Sequence, residues 1–173
     1  MKNSDPTMTP AANFLEVRKL AMATHQAVTQ SARRQWGTLM DKAADLAADC
    51  CKLTGEANAW PNEQEIRSVF RTLTAKERGQ IFRAAVKRDD RELVGSILRG
   101  NQLTTGMSRD LVAAYRQEAE SHMAAEVVRG RDACIAAAEA IKELPAESER
   151  LLRASAPDDI YQQIKTEQEA SQV

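Results

Sequence analysis

Glu118, His122 and Glu126 stand at four-residue steps, a spacing that lines three possible metal ligands along one helix face. Di-iron helix bundles instead use a Glu-x-x-His step, and the residue three before His122 is Ala119. The row therefore reads as a solvated face whose members pair along the helix. Asp41, Asp45 and Asp49 repeat the pattern without a histidine to complete it, and read as a second wet face. Cys50 and Cys51 are adjacent, which cannot supply the gap of a zinc pair, and a disulfide between them would strain a helix. With Cys134 they make three cysteines, an odd number that suits a reducing compartment, and all three read as small buried hydrophobes. Neither His25 nor His122 lies in a recognisable nucleophile motif, and Gly95, Gly100 and Gly106 form no phosphate-binding loop. The expectation is a non-enzyme with no catalytic residue, metal, cofactor or small-molecule substrate.

A second chemistry is suggested between residues 75 and 99, where two short helical patterns flank Arg88-Asp89-Asp90. Arg78, Arg83, Lys87, Arg88 and Arg91 could there contact phosphates in a helix-turn-helix-like DNA reader. The second of these helices, however, is dominated by Leu93, Val94, Ile97 and Leu98, and Asp89, Asp90 and Glu92 would face the phosphates. DNA binding is thus the alternative reading and a solvated basic face the favoured one. Trp60 before Pro61, with Leu103 and Met107 in a polar loop, are apolar residues at loop positions. Such residues usually pin a loop to the core; exposed together, they would mark a contact surface. With Tyr161 they are the candidate interaction residues.

These side chains must be positioned by helices. Hydrophobic residues make up 43% of the 173 and aromatic ones only 4%, so Ala, Leu, Val, Ile and Met carry the apolar content and the core should be thin. Seven glycines and five prolines leave too few turns for an all-β fold. The net charge of −1 gives no overall footprint for nucleic acid or anionic membrane, although residues 61–100 are locally basic and residues 101–173 locally acidic. No apolar run approaches the length of a membrane span, and the first residues lack the apolar stretch of a secretory signal, so export is not expected.

The expected fold is all-α: two long antiparallel Ala-rich helices joined by a small knot of three short helices, with short C-terminal helices. Residues 1–12, with Pro6 and Pro10, read as an N-terminal arm. Helical spacing from Phe14 to Leu53, with Asn13 as cap and Gly37 as the place for a bend, predicts the first long helix over 13–54. The knot spans 62–100, with helices near 62–72, 75–87 and 90–99: a capping box at Thr74 and Glu77 opens the second, and Asp89 or Asp90 caps the third, which Gly100 closes. Ser108 opens the second long helix, 108–144, which Gly130 could soften and Pro145 ends; residues 145–173 hold two short helices, 146–155 and 158–169, and the tail. Two slender Ala-rich helices leave core positions uncovered, so self-association or docking on another protein is expected.

The segment from Glu77 to Leu98, with its aliphatic run, Asp89-Asp90 turn and Glu92-Leu93-x-x-x-Ile97-Leu98 helix, is followed by Leu103-x-x-Gly106-Met107-Ser108. This pattern resembles uncharacterised helical proteins encoded near the head genes of tailed bacteriophages. The resemblance implies a structural role in the virion, in the head, its interior or the connector, as a homo-oligomer or bound to other virion proteins. It implies a location in the virion or the cytoplasm of a bacterial host, and it carries no catalytic residue.

Overall fold

The computed structural model describes residues 9–170, and the described residues are all-α, with no strand. Nine helices follow in order: α1 Pro10–Leu53, α2 Glu63–Thr72, α3 Ala75–Lys87, α4 Arg91–Leu98, α5 Gln102–Thr105, α6 Arg109–Met123, α7 Ala125–Lys142, α8 Leu144–Ser155 and α9 Asp158–Ala170.

Several boundaries differ from the sequence reading. Residues 1–8 of the expected arm lie outside the described residues, and Pro10 to Ala12 are helical. The helix opens on Thr9 instead of Asn13: Thr9 Oγ1 accepts from Ala12 N at 3.3 Å and Thr9 O from Asn13 N at 2.9 Å. Proline suits this first position because its missing N–H would be unpaired there in any case. α1 runs through Gly37 without interruption. The second long helix is instead two, broken at the buried Ala124 (φ −133°, ψ 24°), while Gly130 stays helical. Alanine is the best helix former, so the break carries no local signal. α5 also escaped the sequence reading. Asn101 Oδ1 accepts from Leu103 N and Thr104 N at 3.0 Å, and Gly106, at φ 70°, ends the turn. The knot therefore holds four short helices between α1 and α6.

Other local signals act as expected. Thr74 Oγ1 accepts from Glu77 N (3.3 Å) and Thr74 N donates to Glu77 Oε2 (2.8 Å), closing the capping box of α3. Asp89, at φ 58°, turns the chain out of α3, and Asp90 Oδ1 then caps α4 by accepting from Leu93 N at 3.1 Å. Ser108 Oγ accepts from Leu111 N at 3.3 Å at the head of α6.

The chain divides into two compact units. One is Met40–Ile135, and its core gathers Phe70, Phe82, Val86, Val94, Ile97, Leu98, Met107 and Tyr115, with Ala85 and Ala119 between them. α4 lies at its centre: all five residues from Val94 to Leu98 are buried. Phe82 and Tyr115 stack with ring centroids 4.3 Å apart, joining α3 to α6. Full burial of one such large side chain stabilises by roughly 1.5–3 kcal/mol, so these residues dominate the unit's stability. Within it the end of α1 runs against the returning chain, Leu46 beside Gly130 and Glu56 paired with Arg116.

The other unit comprises residues up to 39 and from 136 onward. Among its described residues the buried side chains are alanines: Ala32, Ala138 and Ala156. Here α1 lies antiparallel to the C-terminal helices. Arg18 reaches Ala156 O (3.0 Å) and Asp158 Oδ1 (2.6 Å), His25 Nδ1 meets Ser148 Oγ (2.8 Å), and Trp36 stands beside Ile141 and Pro145. The descending partner numbers are the signature of antiparallel packing, and the small buried residues allow the helices close approach.

Candidate interaction site

Several of the residues able to do chemistry are engaged elsewhere. Glu118 pairs with Arg83 (3.1 Å) and Glu126 with Arg129 (3.6 Å), His122 is exposed, and the Ala124 break separates Glu126 from the other two. Among the described residues no group of three or more His, Cys, Asp or Glu is placed to hold a metal. Asp49 pairs with Lys52 at 2.8 Å. Burial pushes the Cys50 and Cys51 thiols up, with Glu120 adding to the shift at Cys50 and Glu56 at Cys51, so both stay protonated and weakly nucleophilic at neutral pH. His25 meets Ser148, but Ser148 Oγ already donates to Pro145 O at 2.9 Å. That arrangement leaves His25 Nδ1 as the donor and makes the pair a tie between α1 and α8.

The four candidate interaction residues separate. Met107 is only 1% exposed and belongs to the core. Trp60 is half-buried and its Nε1 donates to Gly55 O at 3.0 Å, pinning the loop after α1. The Arg18 guanidinium lies 4.2 Å above the centre of the Tyr161 ring, so Tyr161 holds α9 to α1. Leu103 alone is fully displayed, 76% exposed, and its carbonyl accepts from Arg71 at 2.9 Å. The first three are apolar or aromatic residues that fasten loops and helices.

In the second helix of the expected helix-turn-helix, Val94 to Leu98 are buried in the core, and the exposed Arg91 and Arg99 stand at its two ends. Arg78 is committed as well. Its guanidinium donates to Leu73 O (3.0 Å), Gly106 O (3.0 Å) and Arg71 O (2.9 Å), drawing the α2–α3 and α5–α6 connections together. Arg83 is taken by Glu118 and Arg91 by Asp89 (3.6 Å); Lys87 and Arg88 are exposed.

What the folded chain offers instead are two uncovered surfaces that the linear pattern did not mark. Between α2, α3 and α4 runs an open groove of about 480 Å³. Its floor is Ile66, Val69, Phe70, Leu73, Ile81 and Leu93, with Val69 58% exposed. Its rim carries Glu65, Asp90 and Glu92 and no cation. The second surface belongs to the thin unit, where Val17, Leu20, Met22 and Trp36 of α1, Leu144 and Leu151 of α8 and Ile160 of α9 are exposed. So many exposed apolar side chains beside a core of three alanines leave the unit short of the burial that normally stabilises amphipathic helices.

The class defined by this fold and these surfaces is an all-α protein with one packed unit and one thin one, and no described helix is long and apolar enough to cross a membrane. Compared with protein-family models, curated proteins and solved structures, the chain matches none.

Proposed function

We propose that this chain is a non-enzymatic structural protein that works by helical self-association, as a component of a tailed-phage particle. The observation that carries the self-association is the thin unit: it buries alanines while Val17, Leu20, Met22, Leu151 and Ile160 face solvent. Each of these would bury area worth about 25 cal/mol per Å² against a second copy, and repetition of one chain supplies matching faces through symmetry. The particle setting rests on the resemblance carried by residues 77–98 and 103–108, which here form α3, the Asp89 turn, α4, α5 and the entry to α6. Glu118, Glu126 and Asp49 are tied into ion pairs, Cys50 and Cys51 have thiols that burial holds protonated, and His25 ties α1 to α8, which supports a role without chemistry.

The test is solution mass by light scattering across a concentration series. A defined oligomer that persists on dilution into the micromolar range supports the reading. A monomer at every concentration overturns it.

A further inference from the structure

Resting on the self-association reading, we infer that the acidic groove of the packed unit receives the cationic face of α1 from a second copy. The groove combines an apolar floor with a one-sign rim. Glu65 and Glu92 have no ion-pair partner among the described residues, and Asp90 Oδ1 accepts a backbone bond from Leu93 N. Carboxylates around exposed Val69 and Ile81 repel phosphate-bearing ligands, whether nucleic acid or anionic lipid, and attract a basic amphipathic helix.

The chain itself carries such a helix. Lys19, Met22, Gln26, Arg33 and Trp36 are separated by three, four, seven and three residues, which places them on one face of α1, and all five are exposed. Lys19 and Arg33 have no ion-pair partner among the described residues. Met22 and Trp36 are 43% and 41% exposed, and Trp and Arg are the side chains that most often anchor interfaces. α2, which carries one wall of the groove, spans about 14 Å, so the 22–36 segment, about 21 Å long, seats part of its length against it at a time. Arg33 and Trp36 together supply one cation and one large apolar group, matching a rim carboxylate beside an apolar floor. The pairing joins unlike surfaces, so each copy offers both a donor face and an acceptor groove.

Charge reversal on each side tests the assignment in the full chain, because all four residues are exposed or rim positions outside the cores. E65K/E92K puts like charges together and is expected to raise the dissociation constant for self-association at least about tenfold, as is K19E/R33E. Mixing the two variants restores opposite charges across both pairings, and mixed oligomers of near wild-type stability are expected. Circular dichroism confirms that each variant is folded. Association unchanged in E65K/E92K overturns the groove assignment while leaving self-association standing. Folded variants that fail to associate when mixed also overturn it. A monomeric wild-type chain removes both readings together.

Discussion

Gly95, in the middle of α4, lies directly against the backbone of Gly55: a Cβ built on Gly95 would collide with Gly55 O and C and come within 3.0 Å of Trp60 Nε1. Gly55 holds φ 77° and sits in turn against the carbonyl of Arg91, so two glycines let the loop after α1 close over α4. The contact explains why α4 tolerates a glycine in its interior, where helix propensity disfavours it.

Two glycine-to-alanine changes should therefore have opposite signs. Gly37 is helical with nothing within 4 Å of its absent Cβ, and Gly37→Ala is expected to stabilise by about 0.5–1 kcal/mol. Gly95→Ala gains the same propensity but must displace backbone, and is expected to destabilise by about 2 kcal/mol or more. Urea unfolding of the two variants beside the wild type decides the matter. Equal effects would contradict the close approach.

Ser96 is buried in α4, and its Oγ has no hydrogen-bond partner among the described residues, although its carbonyl accepts from Arg67 Nε at 2.7 Å. Ser96→Ala removes the unsatisfied hydroxyl, leaves the carbonyl bond and improves helix propensity. The variant is expected to be at least as stable as the wild type, by up to about 1 kcal/mol. A lowered thermal midpoint would show that the hydroxyl has a partner in solution.

Arg78 should behave as a structural residue. Arg78→Ala leaves three carbonyls without their donor and is expected to destabilise by about 2 kcal/mol; Arg78→Lys, lacking the planar fork, recovers only part of this. The exposed Arg88→Ala is expected to stay within about 0.5 kcal/mol of wild type. Denaturant midpoints compare the three. A destabilisation by Arg88→Ala as large as that of Arg78→Ala would refute the division of roles.

The capping box of α3 makes stability depend on acidity. The Thr74 hydroxyl, with the Thr74 backbone N–H adding to it, holds the Glu77 carboxyl below its usual value of 4.5. A carboxyl whose pKa is lower folded than unfolded stabilises fully above the unfolded value and loses that contribution as pH falls through the folded one. The wild-type thermal midpoint is expected to fall relative to that of Glu77→Gln as pH drops from about 5 towards 3. Parallel curves for the two proteins over that range would rule out the contribution.

Much of this protein could be read from residue order. The helical spacing from Phe14 to Leu53, the capping box at Thr74 and Glu77, the Asp89-Asp90 turn and the Ser108 cap act over a few residues, and such short-range signals need no knowledge of what lies across the fold. The tertiary structure decided the rest. Ala124 breaks a helix that its own propensity would continue, and Met107 is buried in a core that includes Phe70 and Phe82, far from it in the chain. The groove joins Glu65, Ile81 and Glu92 from three helices, so no stretch of sequence contains it. Periodicity reports which face of one helix is apolar, but only the packing of several helices determines whether that face is buried or left open.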